Sequence, residues 1–190
     1  MRESNVMHSA SSSRPLISVY GSSMSTPEDA DYASALRIGE LIALGGGNVA
    51  TGGYGGVMEA ASRGAVENGG RAVGFTVQGW TMREPNEYLS DNRPSADLYD
   101  RLRSLIEGSN AMVTLGGGIG TLAELALAWN HLYMRLILPR PLIVVGKDWK
   151  KVINDVRRLL EISDTHMALV EFCDDVDAAV ESLRSKGILT

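Results

Sequence analysis

The chain has 190 residues, 21 of them glycine, with a formal net charge of −5 and one cysteine, Cys173. Its lysines are Lys147, Lys150, Lys151 and Lys186 alone, so no glycine run ends in the Gly-Lys-Ser/Thr of a P-loop, and no lysine for a pyridoxal Schiff base stands near the glycines in sequence. The acidic balance argues against a nucleic-acid polymer as partner, and no apolar run reaches the roughly 18 residues of a membrane span.

Residues 1–14 (MRESNVMHSASSSR) are polar and serine-rich without an apolar centre, so they read as a disordered tail, not a secretory signal. Residues 15–190 read as one domain of ordinary size. Residues 16–20 (LISVY) form a buried strand that ends in Gly21-Ser22-Ser23. Thr26-Pro27-Glu28-Asp29 predicts a helix start, with a cap, a proline in the first turn and acids at the positive dipole end. That helix runs to about Leu44 and turns Ala35, Ile38, Leu41 and Ile42 inward. Gly45 to Gly47 stop it.

Residues 48–51 make a second strand, and Gly52-Gly53-Tyr54-Gly55-Gly56 lead into a helix from Val57 to Asn68. Residues 72–77 are a third strand. Residues 78–95 (QGWTMREPNEYLSDNRPS) have no period, which marks a functional or flexible loop. A helix follows over about 96–107, then a fourth strand at 111–115. Gly116-Gly117-Gly118-Ile119-Gly120 open a helix from about Thr121 to Met134. A fifth strand at 142–145, a helix at 147–160, a sixth strand at 168–172 and a helix at 176–186 complete the chain.

Alternating strands and helices predict an α/β fold: a Rossmann-like, doubly wound, mostly parallel sheet of about six strands with helices on both faces. No GxGxxG follows the first strand, so the dinucleotide fingerprint is missing. Ligands of such sheets sit beyond the carboxyl ends of the strands. Three glycine- or serine-rich turns fall there: Gly21-Ser22-Ser23, Gly52 to Gly56, and Gly116 to Thr121. Backbone N–H groups and helix starts can hold a phosphate at such turns without lysine. The same glycines also serve simply as tight turns.

Thr121 and Glu124 admit two readings. Their spacing matches a capping box, in which Glu bonds back to the cap N–H. It also suits a threonine on phosphate with a glutamate aimed into the cleft. His8, His131 and His166 are far apart, and with one cysteine no metal-ligand spacing exists, so neither a metal nor another cofactor is expected. His131 reads as a core or interface residue, and Arg101 and Arg103 read by default as solvent-facing. The helix bearing Leu122, Leu125, Trp129, Leu132 and Tyr133 is apolar over much of its circumference, which suits a homodimer contact. The lone cysteine fits a reducing compartment, and the expected location is cytoplasmic.

Read in order, the turns resemble the LONELY GUY (LOG) family, often labelled "possible lysine decarboxylase". The resemblance runs through Val19-Tyr20-Gly21-Ser22-Ser23, Thr51-Gly52-Gly53-Tyr54-Gly55-Gly56-Val57-Met58-Glu59-Ala60 and Gly69 to Gly74, and resumes from Asp97 to Gly146. The family signature PGGxGTxxE stands here as Gly116-Gly117-Gly118-Ile119-Gly120-Thr121-Leu122-Ala123-Glu124. Gly116 replaces the family proline, Leu102 replaces the lysine of its Arg-Lys pair, and Asn110 replaces an aspartate.

The resemblance implies a homodimeric phosphoribohydrolase that cleaves an AMP-like nucleoside 5'-monophosphate to free base and ribose 5-phosphate. Glu124 would stabilise the oxocarbenium-like sugar and position water, with Arg101 holding phosphate or sugar and orienting Glu124. Gly21, Ser22, Ser23, Gly52, Gly53, Gly117, Gly118, Gly120 and Thr121 would bind substrate and phosphate, with Met58 and the loop 78–95 shaping the base pocket. A non-catalytic nucleotide or phospholigand carrier on the same fold, such as a molybdenum-cofactor carrier, is the alternative. Decarboxylation of lysine is excluded by the absence of lysine near the glycine turns.

Overall fold

A computed structural model describes residues 14–190, so all but the last residue of the expected tail lies outside the described part. Strands β1 (Leu16–Tyr20), β2 (Asn48–Thr51), β3 (Ala72–Gly74), β4 (Asp91–Asn92), β5 (Ala111–Thr114), β6 (Leu142–Val145) and β7 (Glu171–Cys173) form one sheet in the order β4-β3-β2-β1-β5-β6-β7. Every pairing is parallel. The helices are α1 (Ala30–Leu44), α2 (Val57–Glu67), α3 (Leu98–Glu107), α4 (Ile119–Tyr133), α5 (Lys147–Leu159), α6 (Asp164–Met167) and α7 (Val176–Ser185).

Successive strand residues point to opposite faces, and both faces are covered, as a parallel sheet requires. Ile17, Val19, Val113 and Ile143 join one core with α1, α2 and α7. Tyr20, Met112, Leu142 and Val144 join the other with α3, α4 and α5. The chain builds outward from β1 to β4, then returns to place β5 on the other side of β1. The switch point therefore lies between the carboxyl ends of β1 and β5.

Several boundaries differ from the sequence expectation. The first helix begins at Ala30, not at Thr26, because the Asp29 carboxylate accepts hydrogen bonds from the Thr26 N–H (2.7 Å) and hydroxyl (3.0 Å), closing a turn ahead of the helix. The aperiodic loop contains β4, a two-residue edge strand too short to carry a period, and this makes the sheet seven-stranded. The last strand begins at Glu171. Ser163 and His166 cap a short helix over Asp164–Met167, which occupies the preceding residues.

Two glycines outside the glycine-rich turns bring α1 and α2 into backbone contact. A Cβ on Gly39 of α1 would stand 2.2 Å from Ala61 O of α2, and one on Gly64 of α2 would stand 2.1 Å from Leu36 O of α1. The two backbones touch there because neither residue has a side chain. Gly64→Ala gains about 1 kcal/mol of helix propensity, yet the clash is with backbone oxygen that cannot rotate aside. The expected net result is a loss of about 1–3 kcal/mol, read as a lower urea midpoint; an unchanged midpoint would contradict this packing.

Candidate functional site

The three turns at the carboxyl end of the sheet are tied to one another by backbone hydrogen bonds. The Ser22 N–H donates to Gly116 O (2.9 Å), and the Val57 N–H donates to Ser22 O (2.8 Å). Gly21 lies against Val57, where a Cβ would come within 2.3 Å of Cγ1. Gly56 has φ +70° and sits on Ser22 O. Close approach and backbone conformation both require glycine at these positions.

Above the stitched turns lies a cavity of about 430 Å³. Gly21, Ser22, Ser23, Met58, Arg101, Gly118, Gly120, Thr121 and Glu124 all line it, so the structure brings together most of the residues singled out from sequence. Gly52, Gly53 and Gly117 stand outside the lining. Gly52 acts from behind: a Cβ there would fall 1.6 Å from Arg101 Nη2. Gly53, at φ +80°, donates its N–H to Thr51 Oγ1 (3.1 Å). Gly117 leaves room for Thr121, whose Oγ1 would stand 2.1 Å from an added Cβ.

Helix α4 begins at Ile119 with Gly118 as its cap residue and no side-chain cap bond. Thr121 is thus the third helical residue, and the capping-box reading of Thr121 and Glu124 does not hold. The first bond of the helical ladder runs from the Leu122 N–H to Gly118 O (2.9 Å). The N–H groups of Ile119, Gly120 and Thr121 precede it and have no partner in that ladder. They sit at the positive end of the helix dipole beside the cavity, a placement suited to an anion.

Arg101 is buried, against the default expectation for an arginine on a helix surface, whereas Arg103 is exposed as expected. Asp97 caps α3 by accepting from the Asp100 N–H (2.8 Å), which fixes Arg101 one turn into the helix. Its Nε donates to Phe75 O (2.8 Å), Nη1 approaches Glu124 Oε1 (3.4 Å), and Nη2 lies 3.9 Å from Met58 Sδ. The guanidinium also stands over the Tyr54 ring at 5.9 Å. A guanidinium has five N–H donors, and these partners leave capacity for ligand oxygen.

Glu124 is 8% exposed. Burial pushes its carboxyl up to about 7, against the opposing pull of the Arg101 cation and hydrogen bond. Desolvation wins because the single contact to Arg101 is long and monodentate. Such a carboxyl exchanges a proton near neutral pH and faces a cavity. Among the described residues, no three His, Cys, Asp or Glu side chains converge in a group that could hold a metal.

Met24, Tyr54, Trp80, Arg83, Leu98 and Ile119 also line the cavity. None was singled out by name from sequence, although Trp80 and Arg83 belong to the loop 78–95 expected to shape the base pocket, and Tyr54 and Ile119 stand within the glycine turns. Tyr54 stands inside the glycine run, and its hydroxyl accepts the Val77 N–H (2.9 Å). Trp80 and Arg83 come from the aperiodic loop, where an aromatic and a cation in a segment expected to border the pocket were the available signal. His131 binds its own helix, with Nδ1 2.8 Å from Leu127 O.

The fold and the position of the cavity define a Rossmann-like domain with a pocket at its switch point, where an arginine–glutamate pair and hydroxyl groups stand among apolar side chains. A family model described as the SLOG cluster4 family matches residues 14–160, and the chain belongs to that family. The resemblance to LOG proteins holds at this level. A protein of Archaeoglobus fulgidus is 32% identical over 120 residues, which covers 63% of this chain and 78% of that one. The cytokinin riboside 5'-monophosphate phosphoribohydrolase of Mycobacterium marinum is 31% identical over 121 residues, covering 62% of this chain and 64% of the relative. Among solved structures, the molybdenum cofactor binding protein of Rippkaea orientalis superposes with a TM-score of 0.75 at 26% identity, over 93% of this chain and 99% of that one. The molybdenum cofactor carrier protein of Chlamydomonas reinhardtii gives a TM-score of 0.70 at 25% identity, over 91% and 98%.

Two outcomes are expected from the Arg101–Glu124 pair. Between pH 4.5 and about 7 the folded carboxyl keeps its proton while the unfolded one releases it. Rising pH therefore favours unfolding across that window, and the effect levels off above it. Relative to Glu124→Gln, the wild-type chain should lose on the order of 3 kcal/mol from pH 4.5 to 8, measured by urea unfolding at each pH. Parallel curves for the two proteins would contradict the raised carboxyl. Gly52→Ala should displace the guanidinium and impair ligand binding in calorimetry.

Proposed function

We propose that the protein is a nucleoside 5'-monophosphate phosphoribohydrolase, cleaving the N-glycosidic bond to release free base and ribose 5-phosphate, of the cytokinin-activating type. The observation that carries this reading is the buried Arg101–Glu124 pair opening into a cavity beside the start of α4. Similarity to the Mycobacterium marinum phosphoribohydrolase supports the reaction class.

In this reading the 5'-phosphate binds the first-turn N–H groups of α4, the Thr121 hydroxyl and the Ser22-Ser23 turn. That anchor orients the ribose so that C1' faces Glu124. The C1'–N bond breaks with its electron pair leaving on the base, which takes up a proton from solvent water, and Glu124 returns the proton it later gains to solvent at the end of the cycle. The Glu124 carboxylate stabilises the positive sugar, and water adds to C1' while passing a proton to Glu124. Arg101 orients the carboxylate and binds phosphate or sugar oxygen. Met58 borders the base pocket. Gly21, Gly118 and Gly120 contribute backbone that a ligand can approach closely. Gly52, Gly53 and Gly117 support the site from outside its lining.

A second copy of the chain is proposed to cover the apolar residues left open on and after α4, where Ile119, Tyr133, Met134, Leu136 and Leu138 are exposed. Among the described residues no helix is long and apolar enough to cross a membrane. A small nucleotide, not a nucleic-acid polymer or a lipid surface, is the proposed partner, and the cytoplasm the proposed location.

A carrier of a phosphorylated ligand is the second reading, favoured by the similarity to the molybdenum cofactor proteins of Rippkaea orientalis and Chlamydomonas reinhardtii. Incubation with AMP and related monophosphates distinguishes the two. The hydrolase releases base and ribose 5-phosphate, and Glu124→Gln lowers kcat by about a thousandfold while leaving binding in place. Tight binding with no base released from any monophosphate would instead establish the carrier. If carboxylate is the active form, kcat/KM rises with pH to a plateau, with its midpoint near the carboxyl value of about 7. A flat profile would remove Glu124 from the role assigned to it.

A further inference from the structure

The segment between β3 and β4 crosses one wall of the cavity as a strap with tied ends. At one end the Gln78 N–H donates to Ser95 O (2.9 Å) and the Trp80 N–H to Val77 O (3.3 Å). At the other, the Asn86 N–H donates to Gly53 O (2.9 Å) and its side-chain amide to Tyr54 O (3.0 Å). Between these ties the strap meets the opposite wall through Arg83. Its Nη1 stands 3.5 Å from Ser23 O and its Nη2 3.7 Å from Met24 Sδ. Both contacts are long and neither partner is an anion. Among the described residues, the cavity thus holds one arginine paired with a carboxylate, Arg101, and one whose partners are neutral, Arg83.

Trp80 is 40% exposed at the same cavity. Its ring meets Tyr54 edge-on, with centroids 5.0 Å apart and planes at 81°. Tyr54 is itself fixed by the Val77 N–H, so Trp80 rests on a rigid support while much of its surface stays open. A large aromatic half in water at the mouth of a cavity that also holds charged groups suits stacking on a planar ring. An arginine three residues further along suits a phosphate.

We propose that Trp80 and Arg83 form a clamp that sets the specificity of this site, with Trp80 stacking on an aromatic base and Arg83 exchanging its two long contacts for the phosphate of the same molecule. Base and 5'-phosphate of a nucleotide are separated by one ribose. Three residues of chain span at most about 10 Å, so both side chains can reach parts of one small molecule. Arg83 reaches the Ser22-Ser23 turn, where the phosphate is placed by the reading of the site on which this clamp rests. Binding of the phosphate then draws the strap inward and seats Trp80 against the base, so a ligand lacking either half loses one arm.

The test is a calorimetric titration of the full chain with AMP, adenosine and ribose 5-phosphate, in a Glu124→Gln background that keeps AMP intact. Arg83→Gln should weaken AMP and ribose 5-phosphate by about tenfold or more and leave adenosine unchanged. Trp80→Leu should weaken AMP and adenosine by about tenfold and leave ribose 5-phosphate unchanged. Quenching of tryptophan emission by AMP should disappear in Trp80→Phe. Variants that weaken all three ligands equally, or none of them, overturn the clamp while AMP binding to the parent chain keeps the nucleotide reading standing. A parent chain that binds none of the three ligands overturns both.

Discussion

The arrangement of the site depends on keeping one arginine out of water. Arg101 comes from α3, yet it touches the end of β3 through Phe75 O, α2 through Met58, the β2 turn through Tyr54 and α4 through Glu124. It holds these elements in register around the cavity. A buried cation of this kind is costly unless its donors are met and an opposing charge is near. Phe75 O meets the first need and Glu124 the second. The burial that makes Arg101 require Glu124 also raises the Glu124 carboxyl toward neutrality. Structural pairing and proton exchange near pH 7 thus share one physical cause.

Glycine makes that burial possible. Gly52 gives the guanidinium the volume a methyl would occupy, and Gly117 does the same for Thr121. Gly21 and Gly56 let the β1 and β2 turns close on each other, and the Ser22 bonds then bind both to the β5 turn. The switch point opens a crevice between β1 and β5, as the winding of such sheets demands. The stitched turns make its floor rigid. The groups left without ladder partners are the first N–H groups of α4, which face the crevice. The two helix starts therefore differ: the first N–H of α2 is bonded to Ser22 O, while the first N–H groups of α4 precede its ladder beside the cavity.

Much of this was legible in the sequence because it follows from periodicity and punctuation. Short apolar runs bounded by glycine gave β1, β2, β5 and β6 nearly to the residue, and their alternation with amphipathic stretches gave the parallel class. The glycine turns pointed to the right end of the sheet. Three kinds of information were not local. Arg101 and Arg103 lie two residues apart on one helix, and only tertiary packing decides that the first is buried and the second exposed. Thr121 and Glu124 carry a capping-box spacing, yet the helix already starts at Ile119, with Gly118 as its cap residue and Thr121 inside the first turn. The strap bearing Trp80 and Arg83 has no period, since its residues are held by ties to Gly53, Tyr54 and Ser95 instead of by a ladder of its own.

The departures from the LOG signature acquire a physical meaning in this setting. Gly116 replaces a proline, and a Cβ at that position would stand 2.3 Å from the Asp31 carboxylate of α1. A side chain there would push aside the carboxylate of Asp31, an exposed group at the end of a flexible side chain. Leu102 replaces a lysine next to Arg101, and it is buried at 8% exposure. Neither residue lines the cavity. The substituted positions therefore alter the scaffold around the turns, whereas Arg101, Thr121 and Glu124, which keep the signature, face the ligand space. The change of proline and lysine thus falls on the scaffold and leaves the buried Arg101–Glu124 pair and the Thr121 hydroxyl at the cavity unaltered.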